Sequence, residues 1–198
     1  MITGIILASG FSRRMGRQKL LMKIGRKPML EWVIEAIKAS KIDEIILVYN
    51  DTKISGLGER FKIKTVYNPD PMDGQSGSIK YGIEASDAKT KGYMFFVGDQ
   101  PYLKSLVINR LLEEFNIGLK SIILPRYDEQ QGNPVIFHSK FKKALLSLEG
   151  DSGGRKIIEE NLHEVGYLDF DNPIYGKDID TWEAYEEFKD CIQNGQTE

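Results

Sequence analysis

The chain has 198 residues, 41% of them hydrophobic and 28% charged, with a formal net charge of -2 and a single cysteine. That length suits one α/β domain with a substantial core and is short for two. The lack of a basic excess argues against a general nucleic-acid binder, Cys191 alone excludes an internal disulfide, and two histidines with one cysteine do not make a zinc site.

Strand-like runs alternate with helix-period segments along the whole chain. Ile2–Ala8 reads as a buried, β-branched strand. Residues 28–39 have helical period, with Leu30, Val33, Ile34 and Ile37 on one face and Pro28 in the first turn. Residues 45–49 and Lys64–Tyr67 are two further strands, the second ended by Asn68-Pro69. Residues 76–85 read as a helix after a glycine-rich turn, 93–97 as a fourth strand, and 101–115 as a helix with Leu103, Leu106, Val107, Ile108, Leu111 and Leu112 in its apolar stripe. Strands at 121–124 and 135–137, helices at 141–148 and 155–161, a short strand at 164–168 and a helix at 180–191 follow. This alternation predicts an α/β three-layer sandwich on a mostly parallel central sheet, one domain over residues 1–193 with a tail at 194–198. The apolar run at 5–8 is too short for a signal-peptide core, and no stretch approaches the ~18 apolar residues of a membrane helix. The expectation is a cytoplasmic protein with no membrane and no nucleic-acid partner.

In open α/β sheets ligands sit beyond the carboxyl ends of the strands. The loop after the first strand, Ser9-Gly10-Phe11-Ser12-Arg13-Arg14-Met15-Gly16-Arg17-Gln18-Lys19, carries two glycines and four cations there. Glycine lets backbone N–H groups approach an anion closely, and arginine and lysine both suit a triphosphate. The spacing fits neither a Walker A loop nor the dinucleotide fingerprint. After the fourth strand, Gly98-Asp99-Gln100-Pro101 presents a carboxylate at the same edge. Asp99 there has two readings, a metal ligand or a cap for the next helix. Asp180, in Asp178-Ile179-Asp180-Thr181-Trp182-Glu183, has the same two. Ser76 or Ser78 is placed to cap its helix and leave N–H groups for an anion. Asp151 or Ser152 is similarly placed before residue 155. His138 and His163 read as surface histidines, and Cys191 as filler in a helix.

Residues 7–21, Leu-Ala-Ser-Gly-Phe-Ser-Arg-Arg-Met-Gly-Arg-Gln-Lys-Leu-Leu, resemble the signature loop of nucleotidyltransferases with the nucleotide-diphospho-sugar transferase (glycosyltransferase-A-like) fold. Within them the loop is most similar to the molybdenum cofactor cytidylyltransferase and guanylyltransferase (MobA/MocA-like) branch. The resemblance implies that Arg14 and Lys19 grip a triphosphate, that Leu7, Ala8, Ser9, Gly10 and Arg13 border the nucleotide, and that Gly74 and Ser78 approach its base and ribose. It implies Asp99 and Asp180 as ligands of Mg²⁺. Gly132-Asn133-Pro134 and the Gly150-Asp151-Ser152-Gly153-Gly154-Arg155 turn resemble the family's acceptor segments, which makes Gly132, Asn133, Pro134, Gly153 and Arg155 the acceptor side. Trp182 and Ala184 depart from the family's usual proline and aspartate. The implied reaction transfers a nucleoside monophosphate, from CTP in preference to GTP, to the phosphate of molybdopterin with release of pyrophosphate. The implied partners are that nucleotide, that acceptor, and a molybdoenzyme or its chaperone. Two alternatives stand beside it: a sugar-1-phosphate nucleotidyltransferase, and a nucleotide-binding accessory protein without catalysis.

Overall fold

A computed structural model describes residues 1–10, 18–151 and 153–193. Strand β1 (Ile2–Ala8) lies in the interior of the sheet and is buried nearly throughout. A short antiparallel pair, β2 (Lys23–Ile24) and β3 (Lys27–Pro28), turns at Gly25, whose φ of 64° favours glycine. Helix α1 (Met29–Lys38) follows, then β4 (Glu44–Tyr49), α2 (Thr52–Phe61), β5 (Lys64–Tyr67) and α3 (Gly74–Ala85). The second half runs β6 (Gly92–Val97), α4 (Ser105–Ile117), β7 (Ile122–Tyr127), β8 (Gln130–Gln131), β9 (Val135–His138), α5 (Lys142–Leu146), α6 (Arg155–Glu160), β10 (Val165–Phe170) and α7 (Trp182–Gln193).

The main sheet has eight strands in the order β10-β7-β9-β6-β1-β4-β5, with β8 paired to β7. The β1–β4, β1–β6, β4–β5 and β7–β10 pairs are parallel. Strand β9 is antiparallel to both β6 and β7, so the expected mostly parallel sheet is present with one reversed strand inside it. Alternation along each strand sends its side chains to two cores. Ile6, Leu47, Met94, Phe96 and Ile136 face α1 and α4. Ile5, Ile46, Phe95, Leu124 and Phe137 face α3, α5 and α6. Two helical layers around one sheet make the expected three-layer sandwich.

Several boundaries differ from the sequence reading. Helix α2 is unforeseen: its sequence is rich in glycine and polar residues, and Asp51 caps it by accepting from the Lys53 N–H at 2.8 Å. Helix α4 begins at Ser105, because Tyr102 and Leu103 enter the core from a turn ahead of it, and Leu106, expected in the apolar stripe, is exposed on its outer side while Val107, Ile108, Leu111, Leu112 and Phe115 are buried. Helix α3 begins at Gly74, so Ser76 and Ser78 lie inside it and cap nothing. No helix among the described residues is long and apolar enough to cross a membrane.

Candidate active site

The carboxyl ends of β1, β4, β5 and β6 form one edge, and the predicted motifs gather there. Just past β1, Ser9 is 2% exposed and its hydroxyl is bonded to that of Ser78 on α3. Asn68, just past β5, donates its side-chain amide to Ser9 Oγ at 3.0 Å. This buried polar knot ties the first turns of α3 to the loop after β1. A Cβ added at Gly10 would meet no atom of the described residues within 4 Å. Arg13, Arg14 and Gly16 lie outside the described residues.

Beyond residues 11–17 the chain re-enters in a single 3₁₀ turn, Lys19–Leu21. Leu20 is 5% exposed and packs on Gly98, where an added Cβ would stand 3.0 Å from Leu20 Cδ1. That close approach brings Lys19 over the loop after β6. The Lys19 ammonium donates to Asp99 Oδ2 at 2.6 Å and to Asp180 Oδ1 at 2.6 Å. Residues separated by 80 and 161 positions in the chain thus meet at one nitrogen. The other oxygen of Asp99, Oδ1, is buried and has no hydrogen-bond partner. A buried carboxylate oxygen left unbonded is costly, and a cation satisfies it.

Neither aspartate caps a helix. Lys104 precedes α4 without a side-chain cap, well after Asp99. At α7 the cap is Thr181, whose hydroxyl accepts from the Ala184 N–H at 3.2 Å. The capping readings of Asp99 and Asp180 therefore fall. The segment carrying Asp180 is fixed from below: Ile179 is fully buried and its N–H donates to the Asp99 carbonyl at 3.0 Å. Gln100, 2% exposed, donates through Nε2 to the Gly176 carbonyl at 2.9 Å and to Asp178 Oδ1 at 2.7 Å.

Asp178 was not singled out from the sequence. The signal was present: in Asp178-Ile179-Asp180 an extended segment buries its middle residue and turns both carboxylates to the other side. Burial of its carboxyl, followed by the nearby charge of Asp99, pushes Asp178 up to about 6, against the hydrogen bond from Gln100. Lys19 moves the other way from what burial alone would do: burial lowers it, but the charge of Asp99 and the hydrogen bonds that it donates to both aspartates hold it above the usual lysine range. Among the described residues, the Lys19 ammonium stands between the carboxylates of Asp99 and Asp180, with Asp178 nearby.

On the α3, α5 and α6 face a cavity of about 500 Å³ opens beside this edge. Leu7, Phe95, Leu124 and Phe137 form its apolar floor, and Gly132, Asn133, Gly153 and Arg155 stand at its rim. Leu7, expected beside the nucleotide, is also among the residues that line this cavity. Pro134 follows Asn133 in a cis peptide and is not among the lining residues. Arg155 is largely exposed and pairs with Glu159 at 2.9 Å. Asp151 does not cap α6; it reaches across to α3, where Oδ1 accepts from the Gln75 N–H at 3.2 Å while the Gly150 carbonyl accepts from the Ser76 N–H at 3.2 Å. The start of α3, read as an anion site, is occupied by the chain's own oxygens. Ser152 lies outside the described residues. His138 accepts from the Lys140 N–H at the surface and His163 is exposed, as expected.

A doubly covered α/β sheet with a glycine-bearing loop and converging carboxylates at its carboxyl edge defines the nucleotidyltransferase class. The chain matches the MobA-like NTP transferase domain over residues 4–165, and it belongs to that family. It is 29% identical to a probable molybdenum cofactor guanylyltransferase of Pyrococcus furiosus, over 88% of this chain and 83% of that one. It is 32% identical to a protein of the same name from Thermococcus kodakarensis, over 83% and 73%. With the nicotine blue oxidoreductase of Paenarthrobacter nicotinovorans it shares 26% identity over 92% and 93%. Among solved structures it is similar to an Rv0371c homolog from Mycobacterium sp. strain JC1, at TM-score 0.85, 24% identity and 98% and 97% coverage. It is also similar to Rv0371C of Mycobacterium tuberculosis in complex with manganese, at TM-score 0.82, 22% identity and 96% and 98% coverage.

Proposed function

We propose that this nucleotidyltransferase moves a nucleoside monophosphate from CTP or GTP to the phosphate of molybdopterin, with Mg²⁺ as its metal. The observation that carries the reading is the Lys19 ammonium held at 2.6 Å by both Asp99 and Asp180, beside an Asp99 oxygen that is buried and unbonded. Such a carboxylate pair, with one acceptor vacant, fits a divalent ion held by one or two carboxylates plus substrate phosphates. A protein of the same fold solved with manganese supports the same conclusion. When bound, the metal would supply Lewis-acid and templating chemistry at the α-phosphate.

The acceptor phosphate is already ionised near neutral pH, so no general base is needed. Its oxygen bonds to the α-phosphorus while the bond from that phosphorus to the β-phosphate oxygen breaks, and pyrophosphate leaves with the electron pair. The chain supplies alignment and charge. Arg14 and Lys19 neutralise the triphosphate and the leaving pyrophosphate. Ala8, Ser9, Gly10, Arg13, Gly74 and Ser78 border the nucleotide, and the Ser9–Ser78 hydrogen bond keeps the two segments together. The acceptor occupies the cavity rimmed by Gly132, Asn133, Gly153 and Arg155, with Leu7 beneath it and Pro134 supporting its edge.

The signature loop favours CTP as donor, whereas the relatives named guanylyltransferases favour GTP. Pyrophosphate release, measured with each of the four triphosphates and Mg²⁺, with and without molybdopterin, tests the proposal. Release that depends on molybdopterin and on CTP or GTP is the expected result. Release driven instead by a sugar 1-phosphate replaces the acceptor, and tight nucleotide binding without transfer to any acceptor makes the protein an accessory factor.

A further inference from the structure

One residue lies against both the carboxylate segment and the acceptor rim. Tyr127, the last residue of β7, is 6% exposed. Gly132 and Gly176 both lie against the Cδ2–Cε2 edge of its ring: a Cβ at Gly132 would stand 2.6 Å from Cε2, and one at Gly176 would run into the same atoms. Its hydroxyl donates to the Asn133 carbonyl at 3.1 Å. The Gly132 N–H is bound in turn to the Pro125 carbonyl at 3.0 Å, so the rim hangs on β7 at both ends of this contact. On the other side Gly176 is the residue whose carbonyl accepts from Gln100, the same amide that holds Asp178. The same edge of the ring is therefore shared by Gly132, which with Asn133 lines the acceptor cavity, and by Gly176, where the segment leading to Asp180 begins.

The geometry points to Tyr127 as a positioning residue that sets the distance between the acceptor rim and the carboxylate-bearing segment. The inference rests on the transfer reading above for its kinetic consequence, while its structural consequence stands independently. A rigid aromatic ring is suited to this role, because interiors are close-packed and transmit displacement rather than absorb it. The two glycines are required by the ring, since neither could carry a side chain without moving it. Burial raises the Tyr127 hydroxyl above the usual tyrosine range, which keeps it a neutral donor across physiological pH.

The test uses Tyr127→Phe and Tyr127→Leu in the full-length protein. Tyr127→Phe keeps the ring and loses one hydrogen bond, so the KM for molybdopterin should rise by about three- to tenfold, with the KM for the nucleotide and Mn²⁺ binding, read by electron paramagnetic resonance, unchanged. Tyr127→Leu removes the strut, so both the molybdopterin KM and the Mn²⁺ dissociation constant should rise. Hydrogen exchange needs no turnover: in Tyr127→Leu, peptides covering residues 130–134 and 174–181 should lose protection together. Failure of the wild type to use any acceptor would sink the transfer reading and leave the exchange and Mn²⁺ arms to decide the strut. Loss of protection in one segment alone, or wild-type molybdopterin KM in an active Tyr127→Phe, would overturn it. Should Tyr127→Leu not fold, Tyr127→Phe alone still decides.

Discussion

Replacing Lys19 by methionine separates the electrostatic part of the site from its shape. Methionine keeps an unbranched stem of similar length and removes only the ammonium. In the wild type that ammonium sits 2.6 Å from an oxygen of Asp99 and 2.6 Å from an oxygen of Asp180. Those two oxygens are therefore at most about 5 Å apart, and at an effective dielectric of ~20 two unit charges at that distance repel by about 3 kcal/mol. Asp180 keeps 47% of its side-chain surface, so solvent screening cuts the realised figure to roughly 1–2 kcal/mol. For a chain of this size that lowers Tm by about 2–8 °C in EDTA. Adding Mg²⁺ should restore more of the loss than it adds to the wild type, because the metal replaces the missing positive charge. Turnover should still fall by about 10²–10³-fold, the usual cost of one contact to developing charge. Differential scanning fluorimetry in EDTA and in Mg²⁺, beside pyrophosphate release, reads all three effects. An unchanged Tm in EDTA with an unchanged Mg²⁺ increment would refute the claim that Lys19 holds two repelling carboxylates together.

Three further outcomes follow from the same geometry. Asp99→Asn should lose Mn²⁺ binding and about 10²–10³-fold in turnover while melting no lower than wild type in EDTA, and full activity in the folded variant removes Asp99 from the site. Asp178→Asn tests a pH effect: the folded pKa of about 6 stands above the unfolded value, so the charged form carries a cost that is full above pH 6 and gone below about pH 4. The variant should melt above wild type at pH 7.5, by a margin that solvent contact keeps small, and the two should converge near pH 4; a gap independent of pH contradicts this. Gly74→Ala should destabilise by about 1–3 kcal/mol, since φ 66° and ψ -148° suit glycine alone and the new Cβ would stand 2.9 Å from the Gly150 carbonyl carbon; urea melts showing no loss would place the turn elsewhere.

The sheet was legible because its strands are buried on both faces and so read as continuous apolar runs. β1, β4, β6 and β9 fall within a residue or two of the sequence reading. Helix α2 was not legible, since only Ile54, Leu57 and Gly58 are buried in it and its glycines mimic a loop. Gly58 is there to admit Thr65 of β5, a tertiary demand that no periodicity carries. The site divides the same way. Lys19, Asp99 and Asp180 were readable as polar residues at strand ends and in a familiar pattern. Gln100 was not, because its importance lies in contacts across 76 and 78 positions, and Asp178, whose alternation with Ile179 and Asp180 was visible, gave no sign of the Gln100 contact that holds it. Capping was misassigned for a related reason: Asp, Ser and Thr are good caps wherever they stand near a helix start, and only the fold shows that Asp151 serves α3 and not the helix that follows it in the chain.

That last exchange changes how the two halves of the site relate. A helix start carries partial positive charge and free N–H groups, and α3 would be expected to offer them to a phosphate. Its Gln75 and Ser76 N–H groups are instead bound by Asp151 and Gly150, which belong to the turn leading to the acceptor rim at Gly153 and Arg155. About one helical turn further along, at Ser78, the same helix is bonded to Ser9 beside the nucleotide loop. One rigid helix is thus fastened at the acceptor turn by its first N–H groups and at the nucleotide loop by a buried hydroxyl. The helix is also packed closely on β1, since a Cβ added at Gly82 would run into the Ile5 side chain. The start of α3 therefore keeps these two N–H groups for the chain's own oxygens, and within the proposed reaction the helix joins the Gly150-Asp151 turn to Ser9.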